Sequence, residues 1–272
     1  NKINPLKARF KDQINLASKL TFSKVINSWK LLASYYFSKL LKKPVQWGFP
    51  ASISFEPTTS CNLRCPECPS GLRAFTRPRG MLENKFFEKT IVQLKNELHY
   101  LTFYFQGEPY LNPAFLDMVK FAHKNKIYSA TSTNGHYLNE EIAQKTIDSG
   151  LDRLIISIDG TTQETYESYR VGGKLEKALE GARNVIKAKK ENNTSKPFVI
   201  FQFLVVSHNE HQIDDVLRLG KEIGVDEVRL KTAQVYDYEN GNELIPSIDK
   251  YSRYYQKKDG TWGVKNKMIN SC

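Results

Sequence analysis

No run of apolar residues in this sequence approaches the roughly 18 that a membrane-crossing helix requires, so nothing in it reads as a span. Acid is nearly missing from the first 43 residues, where Asp12 stands alone against ten Lys and Arg. The net charge of +11 is therefore mostly the +9 of that stretch, and the other 229 residues carry only +2. A basic charge confined to one end does not describe a nucleic-acid-binding body, and no nucleic acid partner is expected. Histidine is sparse, and none of His99, His123, His136, His208 and His211 stands in a Ser/His/Asp arrangement that suggests hydrolysis. Val171-Gly172-Gly173-Lys174 lacks the frame of a phosphate-binding P-loop. There is no internal repeat, no low-complexity tract and no secretory signal, which points to the cytoplasm. The missing initiator Met and the stop on Cys272 are expected of a fragment or a processed piece.

What is present is a globular composition, 40% hydrophobic and 25% charged, long enough for one large α/β domain. Residues 1–46 read as a basic amphipathic helical extension. Over 10–43, Ile14, Leu20, Val25, Trp29, Leu32, Tyr36 and Leu40 recur at roughly helical spacing with lysines between them. The breadth and aromatic content of this stripe predict that it packs on the main domain. The other reading is that residues 1–43 touch a membrane surface. Residues 47–235 alternate: strands over 51–56, 100–105, 127–133, 153–158, 198–206 and 227–230, with helices over 83–98, 113–125, 139–149, 163–169, 173–191 and 213–223. Six strands alternating with helices imply a parallel sheet, open and doubly wound or curled into a full or partial barrel. Residues 236–272 read as a connecting segment.

In such folds functional groups gather where strands end. The distinctive stretches sit there: the cysteine loop after strand one, Gln106-Gly107-Glu108-Pro109 after strand two, Ser132-Thr133-Asn134-Gly135 after strand three and Ser157-Ile158-Asp159-Gly160 after strand four. The loop reads Cys61-Asn-Leu-Arg-Cys65-Pro-Glu-Cys68-Pro. Three thiols within eight residues can converge on one object, and Pro57, Pro66 and Pro69 discourage a regular helix there. Secreted disulfide scaffolds spread their cysteines instead. A structural zinc site needs four ligands, and no histidine stands at ligand spacing from the trio. Iron–sulfur clusters are held by Cys thiolates, and three ligands on a four-iron cube leave one iron open.

The CxxxCxxC loop after the first strand, with the strand-end motifs in order, resembles the radical S-adenosylmethionine superfamily over about residues 51–232. The resemblance implies a partial (β/α)6 TIM-type barrel with parallel strands, carrying the N-terminal helical extension. It implies that Cys61, Cys65 and Cys68 bind a [4Fe–4S] cluster whose open iron is chelated by S-adenosyl-L-methionine. One electron then cleaves this cofactor to a 5′-deoxyadenosyl radical that abstracts hydrogen from a substrate. Gln106, Gly107, Glu108 and Pro109 resemble the family's Gly-Gly-Glu-Pro segment, which holds the methionine amino group. An ammonium suits a carboxylate and backbone carbonyls. Ser132, Asn134 and Ser157 match the third and fourth strand ends, with Ser157 set for the ribose or carboxylate. Arg170 matches a residue that pairs with the cofactor carboxylate; the alternative is a solvent-exposed helix-end charge. Leu204 or Val205 reads as core packing, with adenine contact the family's alternative. Glu67 stands where many members carry an aromatic residue. The Gly-Glu-Pro variant, the stretch from Asp159 to Tyr166 and Cys272 are similar to members with a SPASM domain, here truncated at its start. That implies a peptide or protein substrate and an electron donor such as flavodoxin or ferredoxin. No general base is assignable. The competing function class is a non-catalytic metal-binding or membrane-surface adaptor on the same fold.

Overall fold

The computed structural model describes residues 5–266; Cys272 lies outside them. Strands β1 (Ser52–Ser54), β2 (Tyr100–Phe103), β3 (Tyr128–Thr133), β4 (Arg153–Ser157), β5 (Phe198–Val205) and β6 (Glu227–Thr232) form one parallel sheet. Their spatial order is their sequence order. That order settles what spacing alone left open. A doubly wound sheet reverses its strand order at a switch point, and this one never does. Crossovers of one hand then lay the connecting helices on one face, and the other face curls into a lumen. β1 and β6 do not pair, so the barrel is partial.

Side chains alternate between the two faces. Leu101 and Phe103 of β2, Leu154 and Ile156 of β4, and Phe201 and Phe203 of β5 pack outward. They meet Phe87 and Ile91 of α4 (Asn84–Leu94), Phe115 and Met118 of α5 (Phe115–Lys124) and Val185 of α8 (Leu175–Glu191). Each large side chain so buried contributes about 2–3 kcal/mol by leaving water. The helices α6 (Glu140–Asp148), α7 (Gln163–Tyr169) and α9 (Ile213–Ile223) complete the outer layer. Strand positions of the other parity, including Tyr100, Tyr128, Arg153, Ser157 and Gln202, line the lumen and are largely polar.

The lumen is closed at the N-terminal ends of the strands by α1 (Pro5–Ser18). Tyr128 donates its hydroxyl to Asp12 at 2.5 Å, and Arg153 forms a short ion pair with the same carboxylate. Arg9 bonds Glu227 at 3.0 Å, Asn15 donates to Asp152 at 2.9 Å, and Lys19 pairs with Asp152 at 3.3 Å. Ala8 covers Ile155, Phe198 and Ile200. The lone acid of the N-terminal stretch is thus a buried tie.

The extension differs from expectation in two ways. It is two helices, because Thr21 caps a second one, α2 (Phe22–Leu41), accepting from the Lys24 amide. And α2 does not pack its apolar stripe on the domain. Its buried residues are Lys24, Asn27 and Ser34. The cause is the surface it meets, which presents main-chain polar groups. Lys24 donates to the carbonyls of Lys19 and Lys126, and Asn27 bonds both the amide and the carbonyl of Phe49. Polar side chains answer those groups, and Val25, Trp29, Leu32, Tyr36 and Leu40 are left facing outward. Burial, with Lys19 and Lys126 nearby, pushes the Lys24 ammonium down to about 8.

Past β6 the chain is not only a connector. Tyr254–Gln256 (β7) and Trp262–Val264 (β8) make an antiparallel hairpin, and Leu244 and Tyr254 pack beside Leu63 and Cys65.

Candidate functional site

The site lies at the other end of the strands. From β1 the chain runs through Thr58, whose neighbour Thr59 bonds Gly80 by its amide at 3.1 Å, and then into the cysteine loop. The loop ends in one short turn, α3 (Pro69–Leu72), with Cys68 immediately before it. Arg64 donates its amide to the Val171 carbonyl at 3.0 Å, tying the loop to the end of α7. Cys65 is buried with Leu63 and Tyr169, and Cys61 and Cys68 pack on the same cluster half-exposed. All three are free thiols.

Each thiol has a different partner from a different element. Asn134, after β3, points its amide at Cys61 Sγ at 4.0 Å, and the Leu63 amide donates to the same sulfur at 3.4 Å. Arg170, at the end of α7, donates to Cys65 Sγ at 3.7 Å. Cys68 donates to Gln106 Oε1, after β2, at 3.3 Å. Burial pushes the Cys61 thiol up to about 11 and raises that of Cys65, the Arg170 guanidinium opposing it there. Such thiols keep their protons until a metal cation displaces them.

The donor set fits an iron–sulfur cluster. It is all sulfur, and N–H groups aimed at Cys61 and Cys65 favour the thiolate form. Among the described residues no three His, Cys, Asp or Glu side chains gather tightly enough for a single metal ion. A closed structural zinc centre takes four ligands, and the loop supplies three thiols.

The segment after β2 is braced against the loop. Glu108 donates its amide to the Ser60 carbonyl at 2.8 Å, and Gly107 donates to Ser70 Oγ at 2.8 Å. Gly107 sits at φ 78°, and a Cβ there would come within 2.0 Å of the Thr58 carbonyl oxygen. Pro109 opens a short 3-10 turn. Glu108 is fully buried, and its carboxylate is already engaged: it accepts from Thr133 Oγ1 at 2.7 Å, the Asn134 amide at 2.8 Å and the Tyr110 amide at 3.3 Å. The carboxylate therefore fastens β2 to the end of β3.

Arg170 is not a solvent-exposed helix-end charge. Its Nε meets Asp159 Oδ2 at 2.5 Å, and Asp159 Oδ1 accepts the Leu204 amide at 2.7 Å. Burial alone would lower its pKa, but Asp159 and Cys65 hold it well above the usual value. Ser157 is buried at the end of β4, and Ser132 is half-buried near the end of β3. Leu204 packs beside the cysteines, while Val205 belongs to the outer core. The Glu67 carboxylate accepts the Tyr236 amide at 2.9 Å, drawing the chain after β6 over the loop.

The sequence reading missed Ser70, Asn62 and Asp159 as site residues. Ser70 holds the Gly107 amide, Asn62 accepts from Asn134 at 2.7 Å, and Asp159 orients Arg170. Asp159 had a signal, since it stands in the same tetrapeptide as Ser157.

Burial pushes the Glu108 carboxyl up to about 7, overcoming the donors from Asn134, Thr133 and Tyr110. A glutamate in an unfolded chain titrates near 4.3. Between the two values the folded protein holds a proton that the unfolded chain has released, so stability falls as pH rises through this window and levels off above it. Glu108→Gln has no such titration. The unfolding free energy of the wild type relative to Glu108→Gln should drop by on the order of 2 kcal/mol between about pH 5 and about pH 8. Urea titrations at both pH values measure it. A difference that does not move would mean that the carboxyl is ionised throughout.

Residues 55–220 match the family model of the radical SAM superfamily. The AdoMet-dependent heme synthase of Methanosarcina barkeri is 30% identical over 179 residues, covering 64% of this chain and 48% of that protein. The PqqA peptide cyclase of Gluconobacter oxydans is 29% identical over 206 residues, covering 74% of this chain and 55% of that protein. The chain spans about half the length of the curated relatives it matches. Among solved structures, Streptococcus suis SuiB bound to its precursor peptide SuiA superposes with a TM-score of 0.61 at 16% identity, over 80% of this chain and 46% of that one. That likeness is one of fold.

Proposed function

The chain belongs to the radical SAM superfamily, and on that premise we propose that it is a radical enzyme whose cluster sits on Cys61, Cys65 and Cys68. S-adenosylmethionine binds beside it along the rim, and the substrate is a peptide or protein segment. When bound, the cluster supplies the electron that splits the sulfonium of S-adenosylmethionine and so yields the hydrogen-abstracting radical. The observation that carries this reading is that three free thiols on one loop each face a side chain fixed on a different element: Asn134, Arg170 and Gln106.

In this reading the chain positions and shields. Arg170, oriented by Asp159, places a guanidinium where the cofactor carboxylate is to be met. Gln106, Gly107 and Pro109 shape the backbone that receives the methionine ammonium. The Glu108 carboxylate, engaged with Thr133 and Asn134, acts by holding that backbone in place. Ser132, Asn134 and Ser157 offer short polar groups to the ribose and carboxylate. The names of the relatives divide between a peptide and heme. The edges of β1 and β6, unpaired among the described residues, favour the peptide, because an extended chain can enter a barrel that does not close.

The reading extends to a reducing, cytoplasmic setting that suits three free thiols, and to flavodoxin or ferredoxin as electron donor. Residues 236–272 lead towards a SPASM-type region, and residues 1–43 touch a membrane surface. No helix among the described residues is long and apolar enough to cross one.

The test is anaerobic reconstitution followed by iron and sulfide analysis and an assay for 5′-deoxyadenosine under dithionite. About four irons per chain and formation of that nucleoside are expected. Metal without the nucleoside would instead describe a non-catalytic adaptor on the same fold.

A further inference from the structure

Helix α2 is built inside out. The residues it buries are Lys24, Asn27 and Ser34, at helical spacing and therefore on one face. The opposite face carries Phe22, Val25, Trp29, Leu32, Tyr36 and Leu40, all exposed, Phe22 at 83% and Leu40 at 77%. Phe10 and Ile14 of α1 are exposed too, one turn apart. A contiguous apolar surface of this kind marks an interaction site. The inward contacts that fix α2 are specific hydrogen bonds through Lys24 and Asn27, so its outward face is the one the fold selects. The second half of α2 is held by the returning chain, where Phe37 meets Trp47 at 4.9 Å and Ser38 bonds Val45.

We propose that this face of α2, with Trp47 at its margin, seats in the interface of an anionic lipid bilayer. Charge chooses the occupant. Lys30, Lys39, Lys42 and Lys43 flank the apolar face, α2 has no acidic residue, and the one acid of residues 1–43, Asp12, is buried against Tyr128 and Arg153. A second copy of the chain would bring two such basic faces together, whereas anionic headgroups neutralise them. Trp29, Tyr35 and Tyr36 have the apolar body and polar tip that suit headgroup depth. An apolar helix face with a lysine fringe and no spanning length lies in the membrane plane.

The seat also sets an orientation. α2 is anchored by carbonyls of Lys126 and Phe49, and the carbonyl of Leu16, in the last turn of α1, bonds His99. These groups precede β3, β1 and β2, at the end of the barrel opposite the cysteine loop. The thiols therefore face the aqueous side. This deepens the reading of residues 1–43 as a membrane contact and does not depend on the cluster.

The experiment is flotation of the full chain with vesicles of phosphatidylcholine alone and of phosphatidylcholine with phosphatidylserine, with iron measured in the floated fraction. Partition should be about tenfold or more stronger on the phosphatidylserine vesicles. Trp29→Glu with Leu32→Glu should lower it about tenfold on them, with iron content unchanged because both side chains point away from the fold. Replacing Lys30, Lys39, Lys42 and Lys43 with Gln should erase the preference for the anionic vesicle. Failure to float, equal flotation of the Glu pair, or a stable dimer that the Glu pair dissolves would each overturn the proposal. Protein that floats without iron would count against the cluster reading and leave this one standing; iron-loaded protein that does not float would do the reverse.

Discussion

Replacing Cys65 with Ala should strip the protein of its iron and of all S-adenosylmethionine cleavage. Cys65 is the most buried of the three thiols and the one that faces Arg170. Its loss leaves two thiolates, too few to hold a cluster that is normally tied by Cys at every protein-bound iron. Serine is no substitute, since a hard alcohol replaces a soft thiolate. Iron after reconstitution should fall from about four per chain to well under one, and 5′-deoxyadenosine should drop below detection. The fold should survive. Trimming one sulfur from a packed position costs on the order of 1–2 kcal/mol, and Arg170 keeps Asp159 as its partner. Circular dichroism and a urea midpoint taken beside the iron assay separate lost ligation from lost structure. A Cys65→Ala protein that still loads iron and yields the nucleoside would sink the ligand assignment. Cys61→Ala and Cys68→Ala should behave alike.

The second large effect is expected from a single methyl group. Gly107→Ala would place a Cβ 2.0 Å from the Thr58 oxygen and 2.8 Å from the Thr58 carbonyl carbon, at φ 78°. Both obstacles are main chain of the segment entering the cysteine loop, so no rotamer relieves the clash. The left-handed backbone alone costs about 1–2 kcal/mol for a non-glycine residue, and the displaced strand end raises the total to at least about 3 kcal/mol. Gly172 supplies the control. It sits at φ 79° with nothing within 4 Å of an added Cβ, so Gly172→Ala should show the backbone cost without the collision. Chemical denaturation of the two variants side by side measures the difference. Equal losses would mean that the approach of Gly107 to Thr58 does not matter.

Much of this architecture was legible in the residues, for reasons that differ by element. The alternation of strands and helices follows apolar periodicity, which is local, and the strand-end motifs could be placed on one rim because parallel strands all end on one side. Whether the sheet winds singly or doubly depends on strand order, which no window of sequence contains. The break between α1 and α2 carried its own signal in Thr21, a capping residue before a new apolar run. The hairpin of β7 and β8 was signalled by Asp259-Gly260 between Tyr and Trp residues. The orientation of α2 was not legible at all. Periodicity tells which face of a helix is apolar, and only the carbonyls of Lys126 and Phe49 decide which face turns inward. Asp159 and Arg170 are eleven residues apart with a helix between them, so their pairing emerges only once α7 has folded back.

The seal at the base of the barrel has a consequence for how the chain is made. Arg9 closes on Glu227 across 218 residues, Asp12 on Arg153 across 141 and on Tyr128 across 116. At ribosomal speeds of about 5–20 residues per second, the partner of Arg9 is synthesised roughly 10–45 s after Arg9 itself. α1 is therefore made long before its last partner, and it closes the base of the barrel only once β6 has been synthesised. Asn27 of α2 can meet Phe49 after only 22 further residues and Lys24 can meet Lys126 after 102, whereas Arg9 waits for the last strand. The base of the barrel therefore stays open in the growing chain until its sixth strand is made, and the sheet is sealed from below only at that point.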